Sequence, residues 1–148
     1  REAAQAAVRY LSAHLTLDLQ KVFEGCDRAL RNTRGVAMGV AVVRGDRLSY
    51  GGIGNTRVIR VGRTDKRFMG DPGILGTGFR HLLVDSVELE PGDLVLLFTD
   101  GLDERARTSR PRGTGGADLE HIADQFMEQW RRGRDDAGLL VYEHGGRA

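Results

Sequence analysis

From residue 35 to residue 99 the chain is a succession of short apolar runs, each closed by a turn signal. GVAMGVAVV (35–43) is followed by Arg44-Gly45-Asp46-Arg47, and RLSYGGIG (47–54) by Asn55. TRVIRVG (56–62) gives way to a glycine-rich stretch, HLLVDSVEL (81–89) to Glu90-Pro91-Gly92-Asp93, and DLVLLFT (93–99) to Asp100-Gly101. Such runs, rich in valine, isoleucine and leucine, form strands, and connections this tight fold consecutive strands back on one another as antiparallel hairpins. Glycine makes the turns possible. It fills 21 of 148 positions, roughly twice the ordinary share of about 7%, while three prolines are too few for a disordered linker.

Helical periodicity brackets these strands. REAAQAAVRYLSAH (1–14) places Ala4, Val8, Leu11 and Leu15 on one stripe, and residues 17–31 place Leu19, Val22, Phe23, Cys26, Ala29 and Leu30 on another. ADLEHIADQFMEQW (117–130) gathers Leu119, Ile122, Ala123, Phe126, Met127 and Trp130 on one face. Asp118 stands near its start and the basic RRGR after its end, as the helix dipole favours. Residues 63–81 read as a long loop, residues 105–116 as a polar, basic surface loop, and AGLLVYE (137–143) as a final buried strand. The expected order is two helices, five strands, a helix and a strand, an α+β arrangement of layers in one domain spanning residues 1–148.

A net charge of +1 gives no overall attraction to nucleic acid or to an anionic membrane, and no apolar run approaches the roughly 18 residues of a membrane span. The single cysteine, Cys26, has no intrachain partner for a disulfide. It fits a reducing, cytoplasmic setting and reads as a small apolar helix residue.

Two acidic sites stand out. In LLFTDGLDE (96–104) a buried strand delivers Asp100 to a glycine turn, and in RDDAGLLVYE Asp135 and Asp136 immediately precede a second apolar strand. Taken singly, TDG begins a turn and DD caps a strand. Taken together they imply more. If the strands beginning at residues 93 and 137 are antiparallel neighbours, Asp100 and Asp135 converge on one sheet edge. Two carboxylates there would repel unless one held a proton or a divalent cation lay between them. Hard ions such as Mg²⁺ and Mn²⁺ take oxygen ligands on a rigid frame.

These residues resemble the metal-dependent protein serine/threonine phosphatases (PPM), in particular their bacterial SpoIIE and RsbX-like branch. LLFTDGL is similar to the family's apolar strand ending in (S/T)DG, and RDDAGLLVYE to its closing motif, whose first aspartate is a ligand. GVAMGVAVVRGDRLSYGGIGNTRVIRVG resembles the central hairpin, GDPGILG the flap loop, and REAAQAA the helix after the first metal motif. The resemblance implies an αββα sandwich of two mainly antiparallel sheets flanked by helices. It makes Asp100 and Asp135 the catalytic metal ligands of a site for two Mn²⁺ or Mg²⁺ ions. The family's N-terminal strands and first Asp-Gly metal motif have no counterpart here, so the expected domain is incomplete at its N-terminus and weak in activity if truncated. Asn55 stands where some members carry a third-metal aspartate. The implied reaction is hydrolysis of phosphoserine or phosphothreonine on a protein substrate, of the anti-sigma antagonist or stressosome type, in stress signalling and sigma factor regulation. The alternative is a pseudophosphatase that binds a phosphoprotein without cleaving it.

Other candidates carry less. Asp103 and Glu104 read as the exposed first turn of a short helix, with a role behind the metal ligands as the second choice. His14, His81, His121 and His144 share no ligand spacing. Arg1 is a weak candidate for holding substrate phosphate. Gly73 and Gly76 lack the lysine and helix of a nucleotide loop. Arg105, Arg107, Arg110, Arg112, Arg131, Arg132 and Arg134 are not interleaved with aromatics and read as a solvated face or a contact for an acidic partner, with a nucleic-acid site as the third choice. Neither nucleic acid nor membrane is expected as a partner.

Overall fold

The computed structural model describes residues 2–14, 18–108, 119–133 and 136–145. Its elements are α1 (Glu2–Ala13), α2 (Leu19–Ala29), β1 (Met38–Arg44), β2 (Arg47–Ile53), β3 (Arg57–Val61), β4 (Lys66–Met69), β5 (Asp85–Glu88), β6 (Leu94–Phe98), α3 (Leu119–Trp130) and β7 (Leu139–Glu143). One sheet has the order β1-β2-β5 and the other β4-β3-β6-β7, so the α+β class and the two sheets are as expected. β4 was not expected. It is four residues long, lies inside the glycine-rich stretch, and buries only Phe68, too short a pattern to register as alternation.

The described residues gather into two compact units. The first comprises residues up to Val42, Ser49–Thr56 and Met69–Ser86. The second comprises Val43–Leu48, Arg57–Phe68 and residues from Val87 onward.

In the first unit Phe23 and Cys26 of α2 and its C-cap Leu30 pack with Ala3 and Ala7 of α1 and with Met38, Ile53, Leu75 and Leu82. Asp18 caps α2 by accepting from the Lys21 N–H at 3.2 Å. Burial pushes the Cys26 thiol pKa up and keeps it a packing residue. The α1 stripe differs from the expected one. Ala3 and Ala7 face inward while Val8 is 61% exposed, because the small face of α1 lets Tyr10 pass over Gly25 of α2. A Cβ on Gly25 would collide with the Tyr10 phenol, so the missing side chain is what admits the ring. On α2, Ala29 is exposed and Asp27 is buried instead.

The second unit is built around β6. It pairs antiparallel with β3 (Arg57↔Phe98 through Val61↔Leu94) and with β7 (Leu94↔Glu143 through Phe98↔Leu139). Paired on both edges and buried along nearly its whole length, β6 reads as one apolar run. Phe98 meets Phe126 of α3 edge to face at 5.6 Å between ring centroids, among Ile59, Leu94, Leu96, Leu102 and Ile122. β7 ends the sheet order and is not a buried strand: Leu139 and Val141 pack inward, while Leu140 is 57% exposed. β1, likewise at the end of its sheet, is half-buried.

Candidate metal centre

The antiparallel pairing of β6 with β7 brings the end of one strand to the start of the other, as the acidic motifs required. The pairing continues past both strands. The Thr99 N–H donates to the Gly138 carbonyl at 3.1 Å, and the Gly138 N–H donates to Thr99 Oγ1 at 2.9 Å. Next comes Gly101, where an added Cβ would lie 2.3 Å from the Asp136 carbonyl oxygen, so only glycine lets the two segments close. On the other side of the same turn, the Arg132 N–H donates to the Gly101 carbonyl at 2.8 Å, and the Asp103 N–H to the Trp130 carbonyl at 2.9 Å. Arg132 and Asp136, which flank Asp135 in sequence, therefore both lie against Gly101.

Asp100 is exposed at this turn, and among the described residues no side chain bonds to its carboxylate. Asp135 lies outside the described residues, as do Arg1, Arg110, Arg112, Asp118 and Arg134. Among the described residues no group of three or more His, Cys, Asp or Glu is placed to hold a metal ion. An exposed carboxylate that no described side chain engages, on a turn fixed by backbone bonds from two directions, is an oxygen donor suited to a hard divalent cation.

Asp103 and Glu104 do not open a helix. Asp103 Oδ1 accepts the Arg105 N–H at 2.8 Å, and its carboxylate pairs with the Arg105 and Arg132 guanidinium groups at 3.3 and 3.4 Å. The Arg105 amide and side chain hold its pKa well below the usual carboxylate range, down to about 2. Glu104 is reached by Arg57 at 3.5 Å, and Arg67 donates to the Glu104 and Ala106 carbonyls at 2.9 and 2.6 Å.

The first unit holds a second acid that the sequence reading passed over. Asp27 is 7% exposed, and its Oδ1 accepts the N–H groups of Gly76 and Gly78 at 2.7 and 3.1 Å. Those amides are thereby committed to a carboxylate of the chain itself, so the glycine loop has no free cradle there for phosphate. The signal was present: Asp27 falls on the same helical face as Phe23 and Leu30. Asn55 is exposed after Gly54, in a turn tied by the Tyr50 hydroxyl to Thr56 Oγ1 at 2.7 Å. His144 is buried, with Nε2 3.0 Å from Asp46 and Nδ1 3.1 Å from the Tyr142 hydroxyl, a packing role. No helix among the described residues is long and apolar enough to cross a membrane.

The Stage II sporulation protein E (SpoIIE) family profile matches residues 3–145. No curated protein matches. Among solved structures, a chain from work on the bacterial stressosome, a modular system adapted to control secondary messenger signaling, has a TM-score of 0.79 at 27% identity. The match covers 95% of this chain and 74% of that one. RsbX in complex with magnesium gives 0.72 at 20% identity, over 95% of this chain and 71% of RsbX. The PP2C phosphatase domain of SpoIIE from Bacillus subtilis, solved with a fragment of its regulatory domain, gives 0.70 at 15% identity, over 95% of this chain and 49% of that one. The fold is that of the PP2C-type serine/threonine phosphatases.

Proposed function

The chain belongs to the SpoIIE family, and from that premise we propose that it is a protein phosphatase domain spanning residues 1–148 that hydrolyses phosphoserine or phosphothreonine on a partner protein. Asp100 and Asp135 would hold Mn²⁺ or Mg²⁺, together with an acid that this sequence does not identify. When bound, such ions polarise phosphoryl oxygens and lower the pKa of a coordinated water. The chain's own part is to present its carboxylates on a turn that cannot drift. β6 and β7 fix the approach from one side, and the Trp130–Arg132 segment fixes it from the other.

The observation that carries this reading is the closure around Gly101. Arg132, three residues before Asp135 in sequence, donates to the Gly101 carbonyl, and Asp136, the residue after it, lies against Gly101 at the turn that presents Asp100. A magnesium complex of RsbX and a manganese-soaked SpoIIE phosphatase domain among the fold's relatives support the choice of metal. The substrate class, a small regulator of the anti-sigma antagonist or stressosome type, is supported by the stressosome relative and by the RsbU and RsbW domains of Rv1364c from Mycobacterium tuberculosis, which match at 22% identity with a TM-score of 0.69.

The test is Mn²⁺-dependent release of phosphate from a phosphoserine protein by the chain and by its Asp100→Asn and Asp135→Asn variants. Loss of a ligand should exceed the 10- to 100-fold that outer partners of a metal ligand contribute, so a fall of more than about 100-fold is expected in each. Equal turnover in all three proteins would defeat the assignment. Tight binding of the phosphoprotein without turnover by the unmodified chain would identify a phosphoprotein-binding domain instead.

A further inference from the structure

The second unit carries a cleft of about 460 Å³ to which neither Asp100 nor Asp103 contributes. Asp65 lines it from the β3–β4 connection, Arg107 and Thr108 from the chain after the turn of residues 99–106, and Gln125, Phe126 and Gln129 from α3. Its walls are held from behind. Phe126 is 2% exposed and braced edge to face by Phe98. The Arg107 carbonyl accepts the Trp130 Nε1–H at 3.0 Å, and Arg67 donates to the Glu104 and Ala106 carbonyls just before it. Small-molecule sites are lined mainly by apolar and aromatic side chains, whereas among the described lining residues Phe126 alone is apolar. Gln125 and Gln129 are exposed and stand one helical turn apart, with their Cβ atoms about 5–6 Å from each other. An extended peptide presents a backbone N–H and C=O on one edge every two residues, about 6.6 Å apart. Each carboxamide both donates and accepts, so the pair matches such an edge. Asp65 and Arg107 are also exposed, and among the described residues neither has an ion-pair partner, in contrast to Asp103, Glu104 and Arg105 nearby. An acid and a base left uncompensated at one cleft complement a ligand that carries both charges.

We infer that this cleft is a docking groove for an extended, mixed-charge segment of a partner protein. The two glutamines bond to the backbone of the segment, Arg107 meets an acidic side chain and Asp65 a basic one. A protein fits better than a nucleic acid, because Asp65 opposes a phosphate backbone with like charge. The groove goes beyond the proposed phosphatase activity and does not depend on it, since binding is read without turnover.

The experiment is an NMR titration of the ¹⁵N-labelled chain with an octapeptide of alternating glutamate and lysine, with the folding of each variant checked by circular dichroism. The Gln125 and Gln129 side-chain amide signals and the Arg107 Nε–H signal should shift together and saturate. Arg107→Gln and Asp65→Asn should each weaken binding about tenfold. The paired change Gln125→Ala with Gln129→Ala should do the same while keeping the helix, since alanine favours it. Arg105→Gln, whose side chain does not line the cleft, should bind as the unmodified chain does. If one variant fails to fold, the others carry the test. The groove is ruled out by the absence of a saturating shift in the unmodified chain, or by unchanged affinity in the folded cleft variants. Equal losses in Arg105→Gln and Arg107→Gln would reduce the effect to general attraction by the arginines, and equal binding of octaglutamate or of a short DNA duplex would overturn the mixed-charge partner. Shifts of the same signals on diluting the chain alone would assign the cleft to a second copy instead.

Discussion

The glycine loop of residues 70–78 and the turn of residues 99–106 are both sharply bent segments anchored by one aspartate, and the two anchors work in opposite surroundings. Asp27 sits inside the apolar core of its unit and spends its charge on two backbone N–H groups. Asp103 sits near the surface and is met by guanidinium groups and one amide. A buried carboxylate is tolerated only when its hydrogen bonds are complete, and its loss strands the donors it served. An exposed one is interchangeable with water and adds little to folding. The comparison teaches where each segment is free to vary. The loop is fixed by what lies beneath it, and the turn by a backbone zipper whose side-chain ties are adjustable.

The largest expected effect belongs to the buried anchor. Asp27→Ala leaves the Gly76 and Gly78 N–H groups without an acceptor and should destabilise the chain by about 3 kcal/mol, whereas Asp27→Asn, which keeps an acceptor oxygen, should cost about 1 kcal/mol. Urea unfolding measures both, and equal losses would mean that the loop is not held by the carboxylate. Next comes Gly76→Ala. Gly76 has φ +103°, and an added Cβ would lie 2.8 Å from the Leu30 carbonyl oxygen, so a loss of about 2 kcal/mol is expected. The smallest effects belong to the anchor near the surface. Arg105→Ala should change stability by less than about 0.5 kcal/mol at neutral pH.

The pH dependence of Asp103 sharpens the contrast. Its pKa is depressed in the folded chain from 3.8 to about 2. The folded state therefore binds fewer protons than the unfolded state across that interval, and the stabilisation is complete above about pH 4 and fades as the pH falls toward 2. Thermal unfolding of the chain and of Asp103→Asn should differ by a constant amount from pH 5 to 8 and converge below pH 4. A gap that changes between pH 6 and 8 would implicate a different group.

The strand reading was accurate where packing and pattern coincide. β6 was legible because it is central and buried along nearly its whole length, whereas its antiparallel pairing with β7, with α3 between them in the chain, was a condition that the sequence posed and only the sheet order supplies. Elsewhere the pattern lacked the information. In α1 almost every position is small or apolar, so periodicity selected Ala4 and Val8, and the actual face, Ala3 and Ala7, is decided by Tyr10 crossing Gly25. β7 is as apolar in sequence as a buried strand, and only the sheet order reveals it as an edge. Asp27 escaped notice because an acid on an apolar stripe is ordinarily an exception to be ignored. Here the exception is what fastens the loop.

The crossing of Tyr10 over Gly25 couples the two positions in any descendant of this chain. A residue with a β-carbon at 25 requires the aromatic ring at 10 to leave, and a shortened side chain at 10 opens a hollow that the helix backbone alone cannot refill. Drift at either place is thus arrested unless both change within the same lineage, so helix α1 can lose its ring only in step with a filled notch on α2.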